Sequence, residues 1–145
     1  MMRKCLAILA TLFISLTACA DHEYAVNYSQ LPTEAQKFVK TYFNIDDIAH
    51  IELEREGLFH EYTVYLKNAT TIDFDHAGKL ESIDCERTAI PEGIIIRPIA
   101  DYLHQHFTNL FAVKYTINKR DIEIELNNDM ELVFDLNGRF IRIDD

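Results

Sequence analysis

The sequence predicts an α+β domain in which a helix and four strands occur twice, the strands forming one antiparallel sheet of about eight members with both helices packed on one face. Three observations lead there. Residues 61–84, "EYTVYLKNATTIDFDHAGKLESID", lie over residues 121–144, "DIEIELNNDMELVFDLNGRFIRID", without a gap and with seven identities. Ahead of each block stands a stripe of apolar residues at helical spacing. Within each block the apolar residues alternate, the period of a strand with one buried and one wet face.

The first twenty residues stand apart from that fold. Met1-Met2-Arg3-Lys4, the apolar run from Cys5 to Leu16, and the small residues of Thr17-Ala18-Cys19-Ala20 make the three parts of a secretory signal peptide, residues 1–20. The apolar run falls short of the about 20 residues that a membrane-spanning helix needs. Two cleavage readings compete. Leu16-Thr17-Ala18-Cys19 resembles a bacterial lipobox, which would lipidate Cys19, whereas Ala18-Cys19-Ala20 is an A-x-A site for release before Asp21. Residues 21–30 read as a short N-terminal extension, and 31–145 as the folded domain, with repeats at 31–85 and 90–145.

Each repeat opens with a helix. Ala35, Phe38, Val39, Tyr42 and Phe43 fall at i, i+3, i+4, i+7 and i+8 behind Pro32-Thr33-Glu34. Their counterparts are Ile99, Tyr102, Leu103 and Phe107, with Pro98 placed for a first turn. His106 takes the stripe position of Tyr42 and is expected to be partly buried. The alternation then begins: Ile51 and Leu53; Tyr62, Val64 and Leu66; Ile72 and Phe74. In the second repeat it runs through Phe111, Val113, Tyr115 and Ile117, then Ile122, Ile124 and Leu126, then Met130, Leu132 and Phe134, then Phe140. A unit of about sixty residues is marginal alone, so the two are expected to share one core.

"DFDHAGKLESID", residues 73–84, has the outline of a calcium loop, with Asp73, Asp75, Gly78 and Asp84 at positions one, three, six and twelve. Ala77 occupies a ligand position, however, and in the second copy Val133 replaces the first aspartate. Neither copy has the bidentate glutamate at position twelve, and strands rather than helices flank both. Asp75-His76-Ala77-Gly78 and Asp135-Leu136-Asn137-Gly138 instead fit type I turns closing hairpins.

The segments "LPTEAQKFVKTYF", "IPEGIIIRPIADYLHQHF" and the two F-D-x-x-G blocks resemble the PepSY-like, β-lactamase-inhibitor-like exported proteins of Bacteroidetes, over nearly everything from Leu31 to Asp145. The resemblance implies an eight-stranded sheet with two helices, a periplasmic or outer-membrane-associated location in a Gram-negative bacterium, and no catalytic residues. Ala69 departs from the pattern, which usually has Gly in that turn, and predicts a looser hairpin tip.

The chain carries 14 basic and 24 acidic residues. Loss of Arg3 and Lys4 with the signal leaves 12 basic residues and a formal charge of −12. Nucleic acid and anionic membrane surfaces, which are bound through clustered Lys and Arg, are poor partners for such a chain. Cys85 is the single thiol of the folded domain, so no internal disulfide is expected there. With Asp84 and Glu86 beside it, an inert residue at a strand end is expected. Of six histidines, His104 and His106 point about 200° apart on a helix and cannot share an ion. No H-E-x-x-H, G-x-S-x-G or glycine-rich phosphate loop is present, so no metal, cofactor or enzymatic activity is expected.

The face opposite the helices is the candidate site. By alternation it presents Glu52, Thr63, Tyr65, Thr71 and Asp73 from the first repeat and Lys114, Thr116, Glu123, Glu125 and Glu131 from the second. A broad acidic face with an aromatic anchor suits an exported protein or peptide of basic character. The expectation is a non-enzymatic envelope binding protein, an inhibitor or escort of an exported protein, the inhibitory role resting on the family resemblance alone. The alternative is an envelope sensor binding a small ligand or cation.

Overall fold

The computed structural model describes residues 22–144. The signal peptide and Cys19 lie outside the described residues. The elements run β1 (His22–Ala25), a 3₁₀ turn (Tyr28–Gln30), α1 (Thr33–Tyr42), a second 3₁₀ turn (Ile45–Asp47), β2 (Ile48–Glu56), β3 (Phe59–Leu66), β4 (Thr71–Phe74), β5 (Leu80–Asp84), α2 (Arg97–His106), β6 (Ala112–Ile117), β7 (Asp121–Leu126), β8 (Glu131–Asp135) and β9 (Phe140–Asp144). The strands form one antiparallel sheet in chain order.

The sheet has nine strands, one more than the alternation indicates. The addition is β1, in the segment read as an extension. Its four residues are too few to display a period, and it gains its place by pairing outside β2, Tyr24 against Leu53 and Ala25 against Glu52.

Ala35 and Val39 of α1 and Ile99 of α2 are fully buried. Both helices meet the same face. Phe38 of α1 packs edge-on against Phe74 of β4 at 5.5 Å, and Tyr102 of α2 packs edge-on against Phe134 of β8 at 5.4 Å. Between these rings the ladder carries one row of buried residues across the sheet: Ile51, Val64, Ile72, Ile83, Tyr115, Ile124 and Leu132. Those residues and both helices belong to one hydrophobic cluster.

The two F-D-x-x-G segments are hairpin turns. Asp75 Oδ1 accepts the backbone N–H groups of Ala77 and Lys79, both at 2.9 Å, and Asp135 Oδ1 accepts those of Asn137 and Arg139 at the same distance. Each carboxylate is thus used to shape its own turn. Gly78 and Gly138 sit at φ +84° and +82°. A Cβ on Gly78 would lie 2.8 Å from the backbone N of Ala35, and one on Gly138 would lie 2.8 Å from Pro98 Cβ. The turn after β4 is therefore seated on the first turn of α1, and the turn after β8 on that of α2. The proline at each contact is Pro32 of Leu31-Pro32 in the first repeat and Pro98 of Arg97-Pro98, not Pro91 of Ile90-Pro91, in the second.

Three local expectations are corrected. Ladder shifts at Ile48/His50 and Ala112/Lys114 mark bulges. In β6 the bulge breaks the alternation, so that Phe111 is exposed and the core row resumes at Tyr115. His106 is exposed, its ring lying 4.3 Å from that of Tyr102, while Ile99, Tyr102, Leu103 and Phe107 make the stripe of α2 that meets the core. The turn at Ala69 is closed, with the Leu66 N–H donating to Thr70 O at 2.8 Å and the Ala69 N–H to Leu66 O at 3.1 Å. Alanine holds φ +69° there.

Candidate functional site: the open face of the sheet

Side chains alternate across a strand, so the neighbours of each core residue point to the other face. The ladder aligns them in two rows. One runs Glu52, Thr63, Asp73, Ser82, Thr116, Glu123, Val133, Arg142; the other runs His50, Tyr65, Thr71, Asp84, Lys114, Glu125, Glu131, Asp144. All ten residues singled out from the sequence stand in these rows, and all ten are half-buried by their neighbours on the sheet. No third α-helix remains among the described residues to cover them.

The first row is tied together around Asp73. Thr63 Oγ1 donates to Asp73 Oδ1 at 2.8 Å, and the Ser82 hydroxyl donates to the other carboxylate oxygen. One side chain on β4 thus joins β3 and β5. At the β2 end, His50 stacks on Tyr65 with ring centres 4.3 Å apart and lies 3.3 Å from the Glu52 carboxylate. Burial, and then the hydrogen bond to Glu52, push the Tyr65 hydroxyl above its ordinary pKa.

The second row gathers charge. Lys114 Nζ lies 3.5 Å from Asp84 Oδ2 and stands opposite Glu125, which stands opposite Glu131. Lys114, Glu125 and Glu131, with Ser82, Thr116 and Glu123, line an open dish of about 340 Å³. Three glutamates surround one lysine whose nearest partner is an aspartate, so the dish is net negative. It contains five of the ten predicted residues. Glu123 Oε1 also accepts from Asn118 Nδ2 at 2.9 Å.

Four features escape the sequence pattern. Ser82 and His50 belong to the face and were legible by parity, Ser82 from Ile83 and His50 from Glu52. Val133, in the same row as Glu123, is fully buried and splits the acidic surface from Arg142. The unbroken run Leu132-Val133-Phe134 was its signal. Further along the face, burial and the charges of Glu61, Asp75 and Asp73 raise the Glu81 carboxyl, opposed by His76.

Cys85, just past β5, is buried, and that burial pushes its thiol up. Among the described residues no group of three or more His, Cys, Asp or Glu side chains is arranged to hold a metal ion, and no helix is long and apolar enough to cross a membrane.

A family model described as "Putative beta-lactamase-inhibitor-like, PepSY-like" matches the chain at residues 17–59 and 60–142. Three solved structures share the fold. One, a "putative calcium-regulated periplasmic protein" of Bacteroides thetaiotaomicron, is 32% identical with a TM-score of 0.80, covering 85% of this chain and 97% of that one. A periplasmic protein of Bacteroides vulgatus is 28% identical with a TM-score of 0.81, covering 87% and 99%. Another from the same organism, described as of unknown function, is 25% identical with a TM-score of 0.79, covering 86% and 100%. Comparison with curated proteins gives no match. The protein is periplasmic, as these relatives are described. With its two matched segments together spanning most of the sequence, the chain belongs to the PepSY-like, beta-lactamase-inhibitor-like family.

Proposed function

We propose that the protein is a non-enzymatic binding protein of the envelope whose open sheet face takes an exported protein or peptide of basic character, as inhibitor or escort. The observation that carries this reading is the dish in which Glu123, Glu125 and Glu131 surround Lys114. A lysine or arginine side chain entering it meets carboxylates already partly desolvated by the sheet, where charge pairs are stronger than in open water. The hydroxyls of Thr116 and Ser82 supply polar contacts beside them, and Tyr65 a flat aromatic surface farther along. The family description supports the inhibitory form of the reading.

We also infer that the domain arose from two units, 31–85 and 90–145, following an extension at 21–30. The seven identities and the same seating of a turn glycine on a helix start support that division. Lipidation of Cys19 would tether the protein to a membrane surface, and release before Asp21 would leave it free.

The test is titration with a lysine- and arginine-rich peptide. Wild type should bind saturably and more weakly as salt rises, because screening shortens the reach of charge to about 8 Å at 0.15 M. Combined Glu123→Gln, Glu125→Gln and Glu131→Gln substitution should abolish that binding while the protein stays folded. Undiminished binding by the triple variant would sink the proposal.

A second reading, a sensor of a small ligand or cation, is favoured by the description of the Bacteroides thetaiotaomicron relative as calcium-regulated. Against calcium at the F-D-x-x-G loops stands the commitment of Asp75 and Asp135 to their own turns. Calcium should leave the melting temperature unchanged. A rise of several degrees would establish the second reading instead, since a ligand that binds only the native state must stabilise it.

A further inference from the structure

The last strand, β9, forms one edge of the sheet, and among the described residues nothing pairs with its outer side. Edge strands are ordinarily short, charged or interrupted by proline, because their free N–H and C=O groups recruit other strands. β9 is short and carries Arg142 and Asp144, yet three of its five residues are large, apolar and exposed. Phe140 is 38% exposed, Ile141 50% and Ile143 46%.

Within the same molecule β5 shows what this edge looks like when filled. β5 follows the first F-D-x-x-G turn as β9 follows the second, with "LESID" against "FIRID". The outer side of β5 is occupied by β6, Ser82 against Thr116, Ile83 against Tyr115 and Asp84 against Lys114, and Ile83 is fully buried. Ile143 is the counterpart of Ile83. A strand adapted to permanent solvent contact would be more polar than its covered counterpart. Instead Glu81 of β5 corresponds to Ile141 in β9, which is half exposed.

We propose that β9 pairs antiparallel with β9 of a second copy of this chain, extending the sheet through a two-fold axis at Ile143. The sequence of the edge is self-complementary about that point. Arg142 and Asp144 lie on the open face on either side of Ile143, and within one chain they already approach each other, Arg142 Nε donating to Asp144 Oδ1 at 2.7 Å. In the dimer Arg142 of each copy faces Asp144 of the other, while Ile143 meets Ile143 on the helix face. A two-fold contact requires such a patch, since each side must fit itself.

Sedimentation equilibrium of the mature protein tests this. The apparent mass should rise from monomer toward dimer as concentration increases. Ile143→Lys should hold it at the monomer, with its melting temperature at low concentration essentially that of wild type. Arg142→Glu and Asp144→Arg should each weaken association, and the two together should restore it, because the pairing is regenerated with signs exchanged. A chain that remains monomeric at the highest attainable concentration overturns the proposal, as does a dimer that Ile143→Lys leaves intact.

Discussion

At the scale of single residues, the two inner turns of the first half carry opposite assignments of glycine and alanine. Ala69 holds φ +69° in a hairpin tip, where an L side chain costs roughly 1–2 kcal/mol. Glycine removes that cost but gains freedom in the unfolded chain, so Ala69→Gly is expected to stabilise the protein by about 1 kcal/mol in chemical denaturation. Gly78→Ala should act oppositely. Its new Cβ would be both left-handed and 2.8 Å from the Ala35 backbone, so a loss of about 2–4 kcal/mol is expected from strain and overpacking together. Equal and small effects at the two positions would refute the account of the turn seated on α1. Glu81 makes a pH-dependent case. Burial first, then Glu61, Asp75 and Asp73, raise its folded pKa above the unfolded one. The fold therefore bears no penalty from Glu81 below the usual glutamate range, and an increasing one as pH climbs through that range to the folded value. Glu81→Gln should raise the melting temperature at neutral pH, and the gain should vanish in acid. Melting curves across pH decide it, and a gain that persists in acid would point to packing rather than charge.

At the scale of elements, legibility followed the length of the periodic signal. β3, β4 and β7 show clean alternation and fall where the sequence places them, and with them come six of the ten face residues. β1 offers four residues and no period, so only its partner β2 reveals it. Bulges defeat pattern reading for a physical reason: one extra residue reverses the parity of everything before it, as buried Ala112 and exposed Phe111 show in β6. The dish was legible only in part, since its members were countable but their convergence depends on which strands are neighbours. Glu125 and Glu131 meet because β7 and β8 pair, and both meet Lys114 only through β6. Register can be tested with two adjacent residues of β7. Ile124 is fully buried in the core row and Glu125 is half-buried in the acidic row. Ile124→Asp should unfold the protein by burying an unpaired charge, whereas Glu125→Lys should change stability by less than about 1 kcal/mol. Circular dichroism and urea titration read both, and the reverse outcome would mean a register displaced by one residue.

At the scale of the whole molecule, the question is whether two similar halves behave as one body. Their seam is the β5–β6 ladder, where Ile83 and Tyr115 face each other, both almost completely buried. Further bonds stitch the segment after β5 to the other half: the Cys85 N–H donates to Val113 O at 2.8 Å and the Ile90 N–H to Ala112 O at 3.0 Å. The Tyr42 hydroxyl of α1 reaches the carbonyl of Gly93 at 3.1 Å, so the first helix also holds the connecting segment. Each half alone would leave its side of this seam in water, and about sixty residues provide too little buried surface to offset chain entropy. The protein should therefore melt in one transition, with calorimetric and van't Hoff enthalpies equal. Ile83→Ala probes the seam directly, and truncating an aliphatic residue this deeply buried typically costs about 2–5 kcal/mol. If the halves share one core, that loss lowers a single transition without splitting it. If the halves were independent, the substitution would lower one of two transitions and leave the other in place, and calorimetry would show the second peak. A common core also bears on binding, because the dish combines Ser82 of the first half with Lys114, Thr116 and the three glutamates of the second. The seam that makes the fold cooperative thus runs through the proposed site, and Ile83→Ala should weaken binding of a basic peptide at temperatures where the protein is still folded.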